Sequence, residues 1–593
     1  MLSAAVGVLD RVLALDEISR IYTDAVAGDP ARPFVDRLLD AVPVSYDLPP
    51  EDRARIPATG PLVVVSNHSF GGIEGLILLS ILRSVRSDIR IMANYMLEQV
   101  PELRESFIFV DPFGRPGSPH MNSRPLRESI RWVKGGGVLG VFPSGEVARL
   151  DLRQRAVTEP PWSETVSCII RAAGAPVLPV YFDGTNSPTF HVLGLVHPRL
   201  RTAMLPRQLT NKRNRELPVR IGGVIAHARL GRFDTHRALM DYLRMRTYLL
   251  RNRMQPDAPT PPRRSRLWLR SRQDEPIAPA LPQPTLVAEV AALPPEQQLV
   301  GGGEFDVWYA RAPQIPALLH EIGRLREVTF RAVGEGGGKS LDLDRFDADY
   351  IHLFMWNRER GEIVGAYRIG PTDEILPRHG RAGLYTSTLF RLDKRLLDSL
   401  NPALELGRSF VRKEYQRNYQ SLYLIWKGIA EFVLRHPRYR VLFGPVSISS
   451  QYKSISRELL VAFLRVNNSL PALANTALPR KPLHPRRLKP GIPNPLDQAV
   501  SLDEIEEFIA DVETELRGVP ILLKQYLKLG GKILGFNRDP KFGNCLDGLI
   551  LVDLVDCNHK VLGRYMGTAA LKRYVAWHAN PSHAANTDTD PEP

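Results

Sequence analysis

The sequence predicts two α/β domains in a single chain, and two observations lead to this prediction. With 593 residues, the chain is longer than one hydrophobic core normally organises, so at least two domains are expected. Short β-branched segments that end at turns alternate with helix-like segments, and they occur at residues 61–66, 106–110, 137–142 and 176–181. This alternation indicates an α/β domain with its functional loops at the ends of strands.

The N-terminal domain is predicted to span residues 1–253. Residues 61–66 are a short β-branched run bounded by turn residues, which favours a buried strand, and a helix follows at residues 74–84. Residues 235–252 are predicted to form an amphipathic helix with an arginine-rich face. That face either meets lipid headgroups or is an ordinary solvated face.

A proline-rich stretch, residues 254–303, is predicted to be the linker between the domains. Because proline provides no backbone donor, this stretch is expected to maintain neither helix nor sheet. Residues 304–578 form the second predicted domain, and residues 579–593 a disordered tail. The elements predicted in the second domain are a helix, a β-hairpin, a strand, a helix and a strand, at residues 314–333, 351–369, 404–411, 421–434 and 439–447.

The composition limits the partners and the compartment. The formal net charge of +14 is typical of proteins that meet nucleic acid, an anionic membrane leaflet or an acidic carrier protein. No zinc-ligand spacing, RNA-binding signature or helix-turn-helix pattern is visible, so no nucleic-acid partner is expected. The three cysteines, Cys168, Cys545 and Cys557, are too few for a disulfide framework and indicate a reducing compartment.

The hydropathy pattern predicts peripheral membrane association at most. No apolar run approaches the roughly 20 residues that a membrane-spanning helix needs, and the N terminus lacks the pattern of a secretory signal. We therefore expect a cytoplasmic protein that lies on the inner face of the cell membrane and binds no metal.

A histidine follows the first predicted strand, in the segment Asn67-His-Ser-Phe-Gly-Gly-Ile-Glu74. An exposed imidazole there can take the proton of an attacking hydroxyl when a carboxylate holds the ring in one tautomer. On an ideal helix, six residues place Glu74 about 240° around the axis from His68, so their contact needs the non-helical turn that Gly71 and Gly72 can supply. The alternatives are Asp111 as the orienting carboxylate, or a purely structural histidine.

Residues 61–186 resemble the glycerolipid acyltransferase family, which includes the lysophosphatidic acid acyltransferases. The family's Asn-His motif is matched at residues 67–68, and Phe142-Pro-Ser-Gly-Glu146 stands in the place of its Phe-Pro-Glu-Gly motif. Two positions depart from the family pattern, because the acid of the first motif comes one residue late and Ser144 occupies the usual glutamate position.

This resemblance implies an O-acyltransferase with an α/β fold. His68 would deprotonate a hydroxyl that attacks an acyl thioester, and no covalent enzyme intermediate is required. The catalytic residues that the resemblance implies are His68 and Glu74. The residues implied to bind the acceptor's phosphate or headgroup are Asn67, Gly145, Glu146 and Arg149.

A second candidate site lies in the strand predicted at residues 404–411. Alternation of apolar with polar or small residues places Glu405 on one face of that strand. The basic segment that follows leads into a helix, whose first amides together with Arg412 and Arg417 can hold the phosphate of a phosphopantetheine arm. The alternative for Glu405 and Arg408 is an ion pair across a strand kink without a catalytic role.

The second domain resembles GNAT-like N-acyltransferases that make ornithine and related amino-acid lipids, and more distantly the acyl-homoserine-lactone synthases. The resemblance covers residues 309–466 and 520–554 and includes Phe542-Gly-Asn-Cys-Leu-Asp547. It implies an α/β fold, acyl carrier protein as donor and an amino acid as acceptor. It also implies Glu405 as base or amine-positioning group and Arg408 as a carboxylate-binding or structural partner. The basic segment lacks a glycine-rich loop, so acyl coenzyme A is the less favoured donor.

The order of the two resemblances is that of bacterial bifunctional aminolipid synthases, in which one half N-acylates an amino acid and the other esterifies the product. This order implies ornithine lipid synthesis without a bound cofactor. The partners that it implies are acyl carrier protein, a lipid membrane surface, an amino acid and a lyso-lipid. One alternative is a lysophospholipid O-acyltransferase with an accessory C-terminal module. Another is a non-enzymatic, hemolysin-like membrane-active protein, which the lack of a strongly amphipathic pore-forming segment disfavours.

Overall fold

The computed structural model divides the chain into two units that each contain a sheet. Unit 1 comprises Met1–Ala258 and Arg487–Gly518, and unit 2 comprises Pro259–Arg486 and Val519–Pro593. Both units combine helices with a sheet, so the predicted α/β class is confirmed. The structure describes residues 14–111, 118–254, 274–416, 419–483, 501–513 and 518–580.

The strands of unit 1 are β1 Val44–Asp47, β2 Leu62–Ser66, β3 Ile89–Asn94, β4 Phe107–Val110, β5 Val138–Val141, β6 Arg149–Asp151, β7 Ala156–Thr158, β8 Val177–Phe182 and β9 Arg215–Ile221. The main sheet has the order β1-β9-β8-β2-β5-β3-β4, and its pairs are parallel except for β8 with β9. All residues of β2 are buried, as expected for a parallel strand with neighbours on both sides. The carboxyl end of β2 therefore delivers the next residues of the chain to the edge of the sheet where functional loops lie.

The helices of unit 1 are Leu15–Ala27, Phe34–Ala41, Pro50–Arg53, Gly72–Arg83, Ser118–Lys134, Glu164–Ala173, Pro188–Val196, Pro198–Ala203, Leu205–Thr210, His227–Leu230, His236–Leu249 and Leu502–Val512. The helix Gly72–Arg83 packs with β2 and the N-terminal helices in one core, in which Phe34, Leu39, Val64 and Ile77 are buried. Apolar side chains fill this core, so it fixes the turn between β2 and that helix.

The helix His236–Leu249 is buried, which corrects the prediction of an arginine-rich surface face. Arg246 is 1% exposed, and its guanidinium donates to Asp511 at 2.7 Å and to the hydroxyl of Tyr242 at 2.8 Å. Arg244 is also buried and donates to the backbone carbonyl of Glu159. These arginines are interior cations with polar partners, so they meet neither lipid headgroups nor bulk water.

The carboxylate that meets Arg246 comes from the helix Leu502–Val512, which lies within the predicted second domain but belongs to unit 1. Asp511 also accepts a hydrogen bond from the backbone of Gly223 at 2.8 Å. The predicted domain 304–578 is therefore not one continuous unit. The sequence did not indicate this, because the ion pair joins residues 265 positions apart.

The strands of unit 2 are β10 Gln298–Val300, β11 Phe305–Arg311, β12 Ile351–Asn357, β13 Glu362–Pro371, β14 Phe390–Leu392, β15 Ala403–Val411, β16 Val441–Ile448, β17 Ala477–Pro479, β18 Lys532–Asp539 and β19 Cys545–Asp553. The main sheet has the order β10-β11-β12-β13-β15-β16-β19-β18. Strands β12 and β13 pair antiparallel, which confirms the predicted hairpin. The helices of unit 2 are Gln283–Ala291, Pro316–Ala332, Thr372–His379, Lys394–Leu400, Tyr419–Arg435, Ser454–Asn467, Ile521–Lys528, His559–Met566 and Thr568–Ala579.

Strands β15 and β16 run parallel, and their ladder covers only Ala403–Glu405 and Val441–Phe443. Beyond the ladder the two strands diverge, although β15 still pairs with β13 and β16 still pairs with β19. Gly444 sits at the point of divergence, where a Cβ atom would lie 2.0 Å from the carbonyl oxygen of Leu406, so only glycine fits. The facing edges of β15 and β16 beyond this point have no ladder partner in the described part of the chain, and this gap in the ladder is called the wedge.

The predicted linker contains regular structure where it is described, so that prediction is wrong for part of its range. The helix Gln283–Ala291 has proline in its first turn, where the missing donor costs nothing. Its Leu286 and Val290 join a core of unit 2, which stabilises the helix. The remaining linker residues 255–273 and tail residues 581–593 lie outside the described residues. Among the residues that are described, no helix has the length and apolar character to cross a bilayer.

Candidate functional site

The first site lies in the turn between β2 and the helix Gly72–Arg83. The Nδ1 atom of His68 is 2.7 Å from Oε2 of Glu74, and the same carboxylate accepts hydrogen bonds from the backbone N–H groups of Phe70 and Gly71. Gly71 adopts φ 116°, a value that glycine reaches without strain. The expected non-helical turn is thus present, and Glu74 is the carboxylate that orients the ring.

The electrostatics of this pair suit a general base. Glu74 is fully buried, whereas the side chain of His68 is 18% exposed. Burial alone would lower the pKa of His68, but the charge and hydrogen bond of Glu74 outweigh it, so the pKa lies above its usual value. Because Nδ1–H donates to Glu74, Nε2 is the nitrogen that can accept a proton. The ring of Phe142 lies 4.8 Å from the imidazole and covers one side of it.

Asp111, the alternative orienting residue, is buried and its backbone N–H and C=O both pair with the side chain of Asn122. Asn67 does not fit its predicted role in substrate binding. Its amide is 1% exposed, it donates to the carbonyl of Phe182 and it accepts from the N–H of the same residue, each at 2.8 Å. Asn67 therefore fastens the turn to β8.

The loop that follows β5 brings the other predicted binding residues to the site. Gly145 has φ 65°, which turns the chain so that Glu146 and Arg149 are both partly exposed. Glu146 accepts a hydrogen bond from Arg201 at 2.8 Å and lies 3.5 Å from Arg149. Since Phe142 begins this loop and contacts His68, the accessible charges of the loop border the histidine–carboxylate pair.

Two further buried residues of the first site were missed from the sequence. Glu159 accepts hydrogen bonds from the backbone N–H of His68 and from the indole of Trp162, and burial raises its pKa. Lys212 lies 4.3 Å over the ring of Phe70, and burial lowers its pKa to about 8. Glu159 is 91 positions from His68 in the sequence. Glu159 and Lys212 both lie outside the recognised motifs. No local pattern in the sequence points to either.

The second site lies on β15. Glu405 is 1% exposed and accepts hydrogen bonds from the hydroxyl groups of Tyr350 and Thr386 and from the backbone N–H groups of Tyr385 and Thr386. Burial raises the pKa of Glu405, although the hydrogen bonds from Thr386 and Tyr350 oppose the shift. Both carboxylate oxygens are thus engaged in holding the turn at Tyr385–Thr388. The predicted role of Glu405 as base or amine-positioning group would require some of these hydrogen bonds to be given up.

Arg408 is the next charged residue along β15 and has φ 50°, which gives the predicted kink. In the described part of the chain its ion-pair partners are Asp342 at 3.2 Å and Asp344 at 3.6 Å, so the alternative of an ion pair with Glu405 is wrong. The guanidinium lies over the rings of Tyr385 and Phe542, at 4.8 and 4.7 Å. Arg408 is therefore fixed between two carboxylates and two rings.

A buried charge network continues from Asp344. Arg368 pairs with Asp344 at 2.6 Å and Asp347 at 3.2 Å, and Arg326 pairs with Asp347 at 2.8 Å. Burial opposes ionisation of Asp347, but the two arginines hold the pKa of that carboxyl below its usual range. This network was not predicted from the sequence. A signal was present, since Arg368 interrupts the otherwise apolar run at residues 363–369.

The predicted phosphate-binding residues are only partly described. Arg412 pairs with Glu362 at 2.5 Å and lies 3.6 Å from Glu414, and its side chain is partly exposed. Arg417 lies outside the described residues. Arg412 directly follows β15, and the helix Tyr419–Arg435 begins seven positions later.

The fold and the two sites define a two-domain acyltransferase of mixed α/β structure. The sequence model of the family described as "Acyltransferase" matches residues 3–257, and that described as "Acetyltransferase (GNAT) domain" matches residues 325–427. Both resemblances read from the sequence are confirmed. The chain is an acyltransferase, so the non-enzymatic alternative is wrong.

Curated relatives extend this assignment. A glycine N(alpha)-acyltransferase of Phocaeicola vulgatus is 31% identical over 243 residues, which are 38% of this chain and 73% of the relative. An L-ornithine N(alpha)-acyltransferase of Rhodobacter capsulatus is 28% identical over 245 residues, which are 39% of this chain and 83% of the relative. The chain belongs to the acyltransferase family that the P. vulgatus protein represents.

A solved structure is similar to the chain only at a low level. The 1-acyl-sn-glycerophosphate (LPA) acyltransferase of Thermotoga maritima matches 41% of this chain and 93% of its own, at 16% identity and a TM-score of 0.24. So low a score adds nothing to the assignment.

Proposed function

We propose that this chain makes a membrane aminolipid in two steps. Unit 2 transfers a 3-hydroxyacyl group from a carrier-protein thioester to the amine of an amino acid, and unit 1 then esterifies the hydroxyl of that product. The observation that supports this most is that a chain of an N-acyltransferase family also contains the His68–Glu74 pair, which is suited to deprotonating a hydroxyl.

The O-acylation step follows from the first site. Nε2 of His68 takes the proton of the acceptor hydroxyl, and the oxygen attacks the thioester carbonyl. Glu74 stabilises the imidazolium that forms, because its carboxylate is in contact with Nδ1. The C–S bond then breaks, and His68 returns the proton to the departing thiolate. Arg149 is accessible beside this site and is the residue proposed to meet an anionic group of the acceptor.

The N-acylation step is proposed to take place at the wedge between β15 and β16. An extended thioester arm can lie along strand edges that lack a neighbour, as peptides do when they add to a sheet. Arg412 and the first turn of the helix Tyr419–Arg435 are near the open end of β15 and are proposed to hold the arm's phosphate. The net charge of +14 favours an acidic carrier protein as donor.

The acceptor is proposed to be an amino acid, with ornithine as its most concrete form. The relatives are named for glycine and for L-ornithine, so glycine is the acceptor to compare with it.

The place of action is proposed to be the inner face of the cell membrane. The helix Pro188–Val196 exposes Val192, Leu195 and Val196, at 55%, 46% and 72%, and these side chains are proposed to touch lipid. The following helix contributes Arg201, which holds Glu146 beside the first site. A lipid surface at this helix would present its molecules near His68.

A second candidate function is O-acylation of a lysophospholipid, with unit 2 as an accessory module. The match of residues 3–257 to the family described as "Acyltransferase" and the accessible Arg149 favour it.

The two functions separate in a reaction with the purified full chain, a 3-hydroxyacyl carrier-protein thioester as donor, and ornithine, glycine or lysophosphatidate as acceptor. We expect N-acylated amino acid from one of the first two acceptors, followed by its O-acylated form. Acylation of lysophosphatidate alone would contradict the proposed function and support the second.

A further inference from the structure

A buried carboxylate in unit 2 accepts too few hydrogen bonds. Asp547 is the third residue of β19, lies opposite Ser447 on β16, and is 5% exposed. Its Oδ1 faces the thiol of Cys545 at 3.6 Å, whereas Oδ2 accepts no hydrogen bond from the residues that the structure describes. Leaving a carboxylate oxygen buried without a donor is costly, so a donor from outside the chain is expected at this position.

Two further carboxylates lie beside Asp547. Glu335 is buried and accepts a hydrogen bond from the hydroxyl of Ser447 at 2.8 Å, and Asp539 lies opposite Cys545 on β18. Burial, with the negative charges of Asp539 and Glu335, raises the pKa of Asp547 to about 8. Burial also raises the pKa of Glu335 to about 6. The charged form of Asp547 is thus disfavoured in the absence of a partner, and an ammonium group in contact with the carboxylate would favour it.

Arg408, a cation near these carboxylates, is already paired. Arg408 meets Asp342 and Asp344, and it lies over the ring of Phe542, in the turn that precedes β19. That turn lies in close contact with the segment that bears Glu335. A Cβ atom on Gly543 would lie only 1.7 Å from the carbonyl oxygen of Gly334. The charge of Arg408, at the kink of β15, lowers the pKa of both Asp547 and Glu335, although burial outweighs it.

We propose that Asp547, with Glu335 beside it, binds the ammonium group of the amino-acid acceptor and takes its proton. The proposal rests on the proposed N-acylation by unit 2. An ammonium group has three N–H donors, and Oδ2 of Asp547 lacks a donor among the described residues. Glu405, the residue expected from the sequence to act on the amine, already accepts hydrogen bonds on both oxygens and serves as a positioning residue for the turn at Tyr385–Thr388.

The proton balance is complete without another reactant. Asp547 in its ionised form takes one proton from the ammonium, and the neutral amine attacks the thioester carbon. The N–C bond forms, the C–S bond breaks, and the second proton of the amine passes to the thiolate that leaves. Asp547 then releases its proton to solvent, so each turnover yields one amide, one thiol and one proton.

The test uses the full chain and three variants, Asp547→Asn, Asp547→Glu and Glu335→Gln. Asp556→Asn is the matched control, because Asp556 is exposed and pairs with Arg440 at the surface. Initial rates of N-acylation are measured while the amino acid, the acyl carrier-protein thioester and the pH are varied in turn. Thermal unfolding of each variant is recorded alongside.

We expect Asp547→Asn to lower kcat/KM for the amino acid by about 100-fold or more and to leave the KM for the thioester unchanged. The rate of the wild-type chain should rise with pH through the ionisation of Asp547, and this rise should vanish in the variant. Asp547→Glu should restore part of the rate. Glu335→Gln should raise the KM for the amino acid about tenfold, because one charge of the ammonium site is lost.

The inference is overturned if Asp547→Asn folds as the wild type does and keeps its rate and pH profile, and in that case the proposed function still stands. If Asp547→Asn does not fold, the Glu335→Gln variant provides the test. An unchanged KM for the amino acid in that variant overturns the inference. If the wild-type chain acylates no amino acid, the proposed function and the inference both fail.

Discussion

Glu74 performs two tasks with one carboxylate, since it caps the first turn of its helix and orients His68. The charge that orients the ring also raises its pKa. His68 must be neutral to take a proton, so O-acylation is expected to fall as the pH drops through this raised pKa. Glu74 therefore affects both the backbone turn and the pH range in which His68 can take a proton.

Replacing Glu74 by Gln removes the charge and keeps the shape. We expect the acidic limb of the pH–rate profile for O-acylation to move to lower pH, because the pKa of His68 falls. The maximal rate should drop by about 10²- to 10⁴-fold, because the ring loses its fixed tautomer. The measurement is the pH dependence of O-acylation, with the exposed Glu98→Gln as control. An unmoved limb with a normal rate would show that Glu74 does not act on the histidine.

At Glu405, structural and catalytic roles predict different results for Glu405→Gln. The amide would place a donor where the hydroxyl groups and N–H groups of Tyr350, Tyr385 and Thr386 already donate. We expect N-acylation to fall and the free energy of unfolding to fall by about 1–3 kcal/mol, the cost of unsatisfied buried groups. Denaturant unfolding and N-acylation rates together decide the matter. A large loss of rate at unchanged stability would favour Glu405 as the base.

The helix Leu502–Val512 is the element whose placement matters most for unit 1. Its Asp511 satisfies a buried arginine and the backbone of Gly223, so the helix supplies charge as well as apolar contact. Removing one partner of a buried ion pair leaves the other uncompensated.

Asp511→Ala should therefore destabilise unit 1 by about 3–5 kcal/mol, because Arg246 would stay buried without its carboxylate. The measurement is denaturant unfolding of the full chain, followed by a probe in unit 1 such as the fluorescence of Trp162. Asp503→Ala, on the exposed side of the same helix, is the control and should change little. Equal effects of the two substitutions would contradict the structural role given to Asp511.

Elements with a local signal were predictable, and those that depend on distant residues were not. The strand β2, the hairpin β12–β13 and the turn at Gly71 follow from patterns within a few residues. The helix Gln283–Ala291 was missed because its one proline lies in the tolerated first turn and its apolar residues pack on a distant core. Glu159 and Asp511 contact partners far along the chain, which a single sequence does not reveal.

At the scale of the whole molecule, each unit has a site with its own chemistry. Unit 1 has a histidine–carboxylate pair that is proposed to act on a hydroxyl, and unit 2 has a cluster of buried carboxylates that is proposed to act on an amine. The two acylations need different groups on the enzyme. An ammonium group must lose a proton before its nitrogen can attack, whereas a hydroxyl loses its proton as its oxygen attacks. The proposed product of unit 2 is the proposed substrate of unit 1.

The most direct test of this account is the lipid content of cells that lack aminolipids and express the chain, read by mass spectrometry. The wild-type chain should produce a doubly acylated amino acid. His68→Ala should accumulate the singly acylated form, because the second step alone is lost. If the wild-type chain produces no acylated amino acid and instead rescues a lysophosphatidate acyltransferase defect, the two-step account is contradicted.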